Sequence, residues 1–410
     1  MTRQLGECRA LDLTDAKGFL CGAILAQLGV DVVKVEKPGG DDARRTGPFV
    51  GDLPHPERSL SWIAYNVNKR AVTLNLECSD GKELFRRLAA TADFVIESFA
   101  PGYLGSLGLD YEWLKAINPV IIVVSITPFG QTGPYADYRG DELTVLAMSG
   151  FLLTTGDPDR PPVRIAADQA YLHASAYGAA GALLAHRARH AKGIGQHVDV
   201  SAQESLAIAL GGVLPMWQLA GANYRRSGPF LPGPNPRRII FQCRDGYIAY
   251  QIQGIPGRWK GLVDWMASEP ETRGAADYLR ERLQNLDFVK LTLEEQTALE
   301  DIFADFFAKK TRGEIWEQAR RRRFIAYPVN DVGDSLRDEQ LKAREYFASL
   351  PCPELGGEIP YPRYLYVGNG GGRGSPRPAA RIGEHNHEVF CQELGLTDSE
   401  LERLVAAGAI

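Results

Sequence analysis

Over roughly the first 130 residues the apolar positions fall in short continuous runs rather than in alternation. The runs are Arg9 to Leu13, Val30 to Glu36 (VDVVKVE), Ala71 to Asn75, Ala92 to Glu97 (ADFVIE) and Val120 to Ile126. Between them lie stretches of helical spacing: Phe19 to Leu28, Lys82 to Ala90 and Tyr111 to Ile117. Continuous apolar runs of this length fit strands covered on both faces. Strands separated by helices in this rhythm predict an α/β fold, a mostly parallel sheet with helices on both sides. Gly29 is placed to stop the first helix and Asp80 to cap the helix that follows it. Ligands of such sheets bind outside the carboxyl ends of the strands.

From Val123 the pattern changes. A buried strand runs into the turn-rich Thr127 to Tyr135, then a short helical segment and a Pro/Arg loop. Asp168 stands at the head of a long Ala-rich helix that ends at Lys192-Gly193, and His197 to Ser201 leaves it as a strand. A carboxylate in this position is a helix cap or a nucleophile. Further on, Arg225 to Arg238 reads as a linker, and Arg244-Asp245-Gly246 between two apolar runs predicts a hairpin. We divide the chain into 1–224 and 326–410, both parts of a large domain, and 225–325, a smaller α+β domain. Gly368 to Gly374 reads as a loop and Ser399 to Ala407 as a terminal helix.

Composition narrows the function. A net charge of −5 argues against a nucleic-acid binder. No run of about 18 apolar residues predicts a membrane span, and the start of the chain lacks a signal-peptide core. Six scattered cysteines without a CxxC pair fit neither a zinc site nor a disulfide framework, and a cytoplasmic location is expected. His385 and His387 are close together, but on a polar turn they read as surface groups, so no metal is expected. There is no G-x-G-x-x-G after the first strand, no P-loop and no G-x-S-x-G. What remains is a set of loops at predicted strand ends. Their phosphate-binding candidates are Lys37 and Arg44 in one loop and Asn68, Lys69 and Arg70 in another. Ser98 and Phe99 follow the strand Ala92 to Glu97.

Several of these stretches together resemble the family III CoA-transferases, a group that includes acyl-CoA racemases. They are Leu28 to Asp41, Asn68 to Arg70, Ala92 to Gly102, Ser125 to Tyr135, Gly195 to Ser201 and Ile382 to Asn386. The resemblance spans nearly the whole chain. It implies a Rossmann-like large domain, a smaller second domain and two protomers interlocked like links of a chain. It also implies coenzyme A as substrate with no permanently bound cofactor, and an aspartate that carries CoA as a thioester between an acyl-CoA donor and an organic acid. Asp168 is the candidate nucleophile, with Gln169 beside it as a donor. Lys37, Arg44, Asn68, Lys69 and Arg70 become candidates for the CoA phosphates, and Ser98 and Phe99 for the adenine or pantetheine path.

The sequence departs from the family pattern at two points. Asp168 stands 28 positions before Gln196, about three more than in typical relatives, or nearly one helical turn. A gapless alignment puts Tyr171 at the nucleophile's position. Either the helix begins a turn earlier here and Asp168 serves, or the chain is a non-catalytic CoA-binding partner in a heteromer whose sister subunit carries the acid. The racemases place a histidine where this chain has Asp141, so transfer is favoured over racemisation. Asp12 to Gly22 stands where the family usually has an Ala-Gly-Pro turn, and this start, with no glycine-rich active-site loop in the small domain, resembles the branch acting on larger acids, such as benzylsuccinate-type and carnitine-type transferases. Arg160, Arg164, Arg225, Arg226, Arg237 and Arg238 are then candidates for holding a second carboxylate.

Overall fold

The computed structural model describes residues 5–231, 237–250, 259–284, 291–363 and 376–410. The chain divides into two compact units. The first comprises 1–151, 165–211 and 339–410, and the second 152–164 and 212–338. The second unit thus takes in a short early segment that the linker composition at 225–238 does not mark. The glycine run at 368–374 lies outside the described residues.

The first unit is built on a six-stranded sheet. Its strands are β1 (Arg9–Asp12), β2 (Asp31–Glu36), β3 (Arg70–Thr73), β4 (Phe94–Glu97), β5 (Ile122–Thr127) and β6 (Gln196–Ser201). All neighbours are parallel, in the order β3-β2-β1-β4-β5-β6. The order reverses between β1 and β4, and a ligand crevice forms at such a switch point. The helices that bear on the site are α1 (Phe19–Gln27), α2 (Leu60–Tyr65), α3 (Ser79–Ala89), α4 (Tyr103–Ser106), α5 (Tyr111–Ile117), α6 (Glu142–Met148) and α7 (Gln169–Lys192).

One face of the sheet is closed by a core of Leu11, Val33, Val72, Val95 and Val123 against Phe85 and Leu88 of α3, Leu114 of α5 and Phe390. Each such side chain contributes about 1.5–3 kcal/mol when fully buried. On the other face lies α7, whose buried residues are mostly Ala and Gly. Small side chains let it come close: a Cβ on Gly178 would meet Ile126 at 3.0 Å and the Cys21 sulfur at 3.3 Å. The helix ends where Gly193 takes a left-handed conformation (φ 69°), as its sequence predicts. The predicted cap of α3 is different. Cys78, not Asp80, is the N-cap, its sulfur accepting from the Gly81 N–H, while Asp80 sits in the first turn.

The second unit has its own core. Strands Ile240–Cys243 and Gly246–Tyr250 form the predicted hairpin, and Ala326–Pro328 adds antiparallel to the second. Among the described residues, four helices between Lys260 and Arg322 cover this small sheet through Phe241, Tyr250, Trp265, Phe303, Phe306 and Phe307. No helix among the described residues is long and apolar enough to cross a membrane.

Candidate active site

The carboxyl ends of β1 to β4 open onto a cleft of about 840 Å³. Its walls come from the four segments that leave those strands: Leu13 to Lys17, Glu36 to Asp42, Leu74 to Glu77, and Ser98 to Tyr103. Of the predicted ligand-binding residues, Lys37, Ser98 and Phe99 line it. Lys37 is exposed and pairs with exposed Asp42 at 2.7 Å, an interaction weak enough for a competing phosphate to replace. Ser98 is buried. Its hydroxyl accepts from the Asp15 N–H and donates to the Asp15 carboxylate, both at 2.9 Å, and so ties the β1 loop to the β4 loop. Phe99 packs on Tyr103 with ring centroids 4.9 Å apart. Lys17, Asn75, Glu77 and Tyr103 also line the cleft. Sequence reasoning missed them, although the strand-end rule marks the segments that hold them.

The other cations are placed elsewhere. Arg44 has no solvent exposure. Its guanidinium grips Glu36 through two bonds of 2.7 and 2.8 Å, reaches Glu57 at 2.7 Å, and lies 3.9 Å from the Trp62 ring centroid. With every edge occupied it has no face for a phosphate. Lys69 is equally buried and donates to Asp12, Asn66 and the Phe19 carbonyl at 2.8–2.9 Å. Burial opposes the charge on Asp12, but Lys69 and Lys34 outweigh it and hold that carboxyl below its usual range. Arg70 begins β3, so it lies at the amino edge of the sheet, opposite the cleft. There it meets Asp31, Glu388 and Glu393. Asn68 pairs with Arg377 through its own backbone N–H and side-chain oxygen. In this chain the cationic groups of Arg44, Lys69 and Arg70 are buried and paired within the fold, which leaves them no open face for a CoA phosphate.

Asp168 occupies the N-cap position of α7, but its side chain makes no capping bond. The cap comes from Glu142 of α6, whose carboxylate accepts from the Ala170 N–H at 2.9 and 3.1 Å and from the Tyr171 N–H at 3.4 Å. The capping reading of Asp168 therefore fails, and its carboxylate is exposed. Residue 167 just before it is strained, an alanine at φ 62°. Asp168 lies close enough to Tyr65 and Tyr171 for its charge to add to the burial that pushes both phenols up. Gln169 is half-buried, and its carbonyl meets His173 Nδ1 at 2.7 Å. Tyr171 is buried with its hydroxyl on the Gly140 carbonyl at 2.9 Å. Asp141, at the racemase histidine's position, caps α6. Hydrogen bonds from the Thr144 backbone and side chain hold it below the usual carboxylate range, which makes it a poor proton donor.

A family model described as CoA-transferase family III matches residues 5–386. The chain belongs to that family. It is 36% identical over 416 residues to the succinyl-CoA:(R)-benzylsuccinate CoA-transferase subunit BbsE of Thauera aromatica, covering 100% of this chain and 99% of that one. It is 31% identical to the succinyl-CoA–D-citramalate CoA-transferase of Chloroflexus aurantiacus, over 100% of this chain and 98% of the relative. A crystal structure of a CAIB/BAIF family protein from Brucella suis superposes with a TM-score of 0.80 at 29% identity, covering 96% of this chain and all of that one. This family III chain is thus a CoA-transferase or a subunit of one.

In the second unit, Arg226 donates to the carbonyls of Leu153, Asp157 and Arg160 at 2.9–3.2 Å, so its guanidinium is committed to the fold. Arg238 pairs with Asp301 at 3.4 Å. Arg160, Arg164 and Arg225 are exposed. Among the described residues, His387, Cys391 and Asp398 form one group whose ligand atoms lie within 4.8 Å of one another. His387 Nε2 is 3.0 Å from Asp398, so the histidine is tied to the terminal helix rather than to His385.

Proposed function

We propose that this chain is a subunit of a CoA-transferase that moves CoA from succinyl-CoA to a larger organic acid, with CoA in the carboxyl-edge cleft. The observation that carries this reading is the cleft itself. Four strand ends supply an exposed cation, Lys37, and an aromatic wall, Phe99 and Tyr103, at the switch point of the sheet. A polyanion with a flat base at one end suits such a site. The relatives named for succinyl-CoA-dependent transfer to dicarboxylic acids support the choice of donor and the size of the acceptor.

We assign the covalent step to Asp168. Its carboxylate attacks the succinyl-CoA carbonyl, giving a mixed anhydride and CoA thiolate. The thiolate attacks the aspartyl carbonyl, succinate leaves, and an aspartyl-CoA thioester remains. The acceptor carboxylate repeats the exchange in reverse and restores Asp168. The relay conserves the thioester and splits one hard step into easier ones. Because Glu142 caps α7, Asp168 is not needed as the cap.

A second reading has its own support. Tyr171 stands in the first turn of α7 where a gapless alignment with typical relatives puts the acid, and it is buried and hydrogen-bonded there. The chain would then hold CoA and build the site while a homologous partner supplies the acid. Exposed apolar side chains such as Leu184 and Ile208 fit a surface covered by another protomer, in a homodimer or a heteromer, interlocked or not. Racemisation lacks a proton donor at Asp141.

The test treats the chain with succinyl-CoA and hydroxylamine, alone and with a co-expressed homologous partner, and maps modified peptides by mass spectrometry. A hydroxamate at Asp168, lost in Asp168→Asn, supports the first assignment. Modification only in the partner supports the second. No modification and no transfer in either preparation overturns the CoA-transferase reading of this chain's site.

A further inference from the structure

We propose that Glu97 takes up a proton when CoA enters the cleft, so that a buried carboxyl beneath the binding wall links CoA affinity to pH. The inference rests on the reading of the cleft as the CoA site and goes beyond it to how the site is regulated.

Glu97 is the last residue of β4 and is 5% exposed. The two residues after it, Ser98 and Phe99, form the cleft wall. Its carboxylate accepts from the Phe99 N–H at 2.8 Å, and Ser125 stands directly across from it on β5. The Ser125 oxygen is 2.9 Å from His197 Nε2 on β6. The direct partner of the carboxylate is thus a neutral backbone N–H rather than a cation.

The charged groups around it are few. From the β1 loop, Lys17 favours the carboxylate charge, but its ammonium is paired with Asp15. From β6, Asp199 opposes it. His197, packed on the Tyr111 ring, is desolvated and held below its usual range, so it is neutral at pH 7. On β1, Asp12 is committed to Lys69 and Lys34. Burial consequently wins and raises Glu97 to about 7. A polyanion placed on the wall above it disfavours the charged form further. By linkage, a group whose pKa rises on binding takes up a proton, and affinity is greatest below the free-state pKa and falls as pH rises through it.

The experiment is calorimetric titration of the full-length chain with CoA at pH 6 and pH 8, in two buffers of different ionisation enthalpy. The expected result is proton uptake on binding near pH 7 and an affinity about threefold to tenfold weaker at pH 8 than at pH 6. Glu97→Gln should show less uptake and a flatter pH profile, whereas His197→Gln should keep the native profile. The proton count on the native chain tests the idea even if a variant fails to fold. Binding without uptake, or with the same pH profile in native protein and Glu97→Gln, overturns the inference and leaves the cleft assignment standing. No CoA binding at any pH overturns both.

Discussion

The two edges of the six-stranded sheet carry similar charged residues and use them differently. At the amino edge, Arg9 and Arg70 are locked to Asp31 and Glu393, with Glu388 adding a third acid to Arg70. At the carboxyl edge, Lys37 is paired with an exposed aspartate beside an open cleft. Arg44, seven positions after Lys37 in the same loop, belongs with the locked group because Glu36 and Glu57 close around it. A cation near a strand end is therefore available to a ligand only if its own fold leaves it unsatisfied. That depends on acids brought in from distant parts of the chain.

Substitutions should separate the two groups. The largest expected effect is Arg44→Ala, which leaves Glu36 buried without its partner and should lower unfolding free energy by about 3–5 kcal/mol in denaturant titrations. The surviving folded protein should bind CoA as the native chain does. Arg70→Ala should cost about 2–3 kcal/mol, again with unchanged CoA affinity, since its partners lie on the opposite edge. Loss of CoA affinity without loss of stability in either variant would erase the distinction between the edges.

Glu97 is expected to have an intermediate effect, with a sign set by linkage. Its folded pKa of about 7 lies above the ordinary 4.5. Its contribution is therefore fully present below the unfolded value and is lost as pH rises through the folded one. Comparing native protein with Glu97→Gln across pH 5 to 8 should show the variant gaining about 1–2 kcal/mol relative to the native chain toward the alkaline end. The smallest structural effect is expected from Lys37→Ala. It should change stability by less than about 0.5 kcal/mol while weakening CoA binding by about 1 kcal/mol, with a shallower salt dependence.

The parallel sheet was legible because buried strands leave continuous apolar runs, and Gly29 and Gly193 close their helices as predicted. The cleft was legible in part. Lys37, Ser98 and Phe99 follow strands, and the carboxyl-end rule puts them where the cleft lies. The same rule argues against Arg70, which begins its strand. Arg44, which follows a strand, could not be judged this way. Lys69 is satisfied by Asp12, 57 positions away, and no local pattern records such a pairing. Nor could the sequence show that Glu142 takes over the cap of α7 and leaves Asp168 exposed, because that exchange arises from the packing of two helices.

A crystal structure of the chain, or of its complex with a homologous partner, soaked with CoA would test the central claim most directly. The account predicts the phosphates near Lys37, the base against Phe99 and Tyr103, and the carboxyl edge of β1 to β4 as the floor of the site. CoA bound instead at the Arg70 edge, or clear of this cleft altogether, would contradict it.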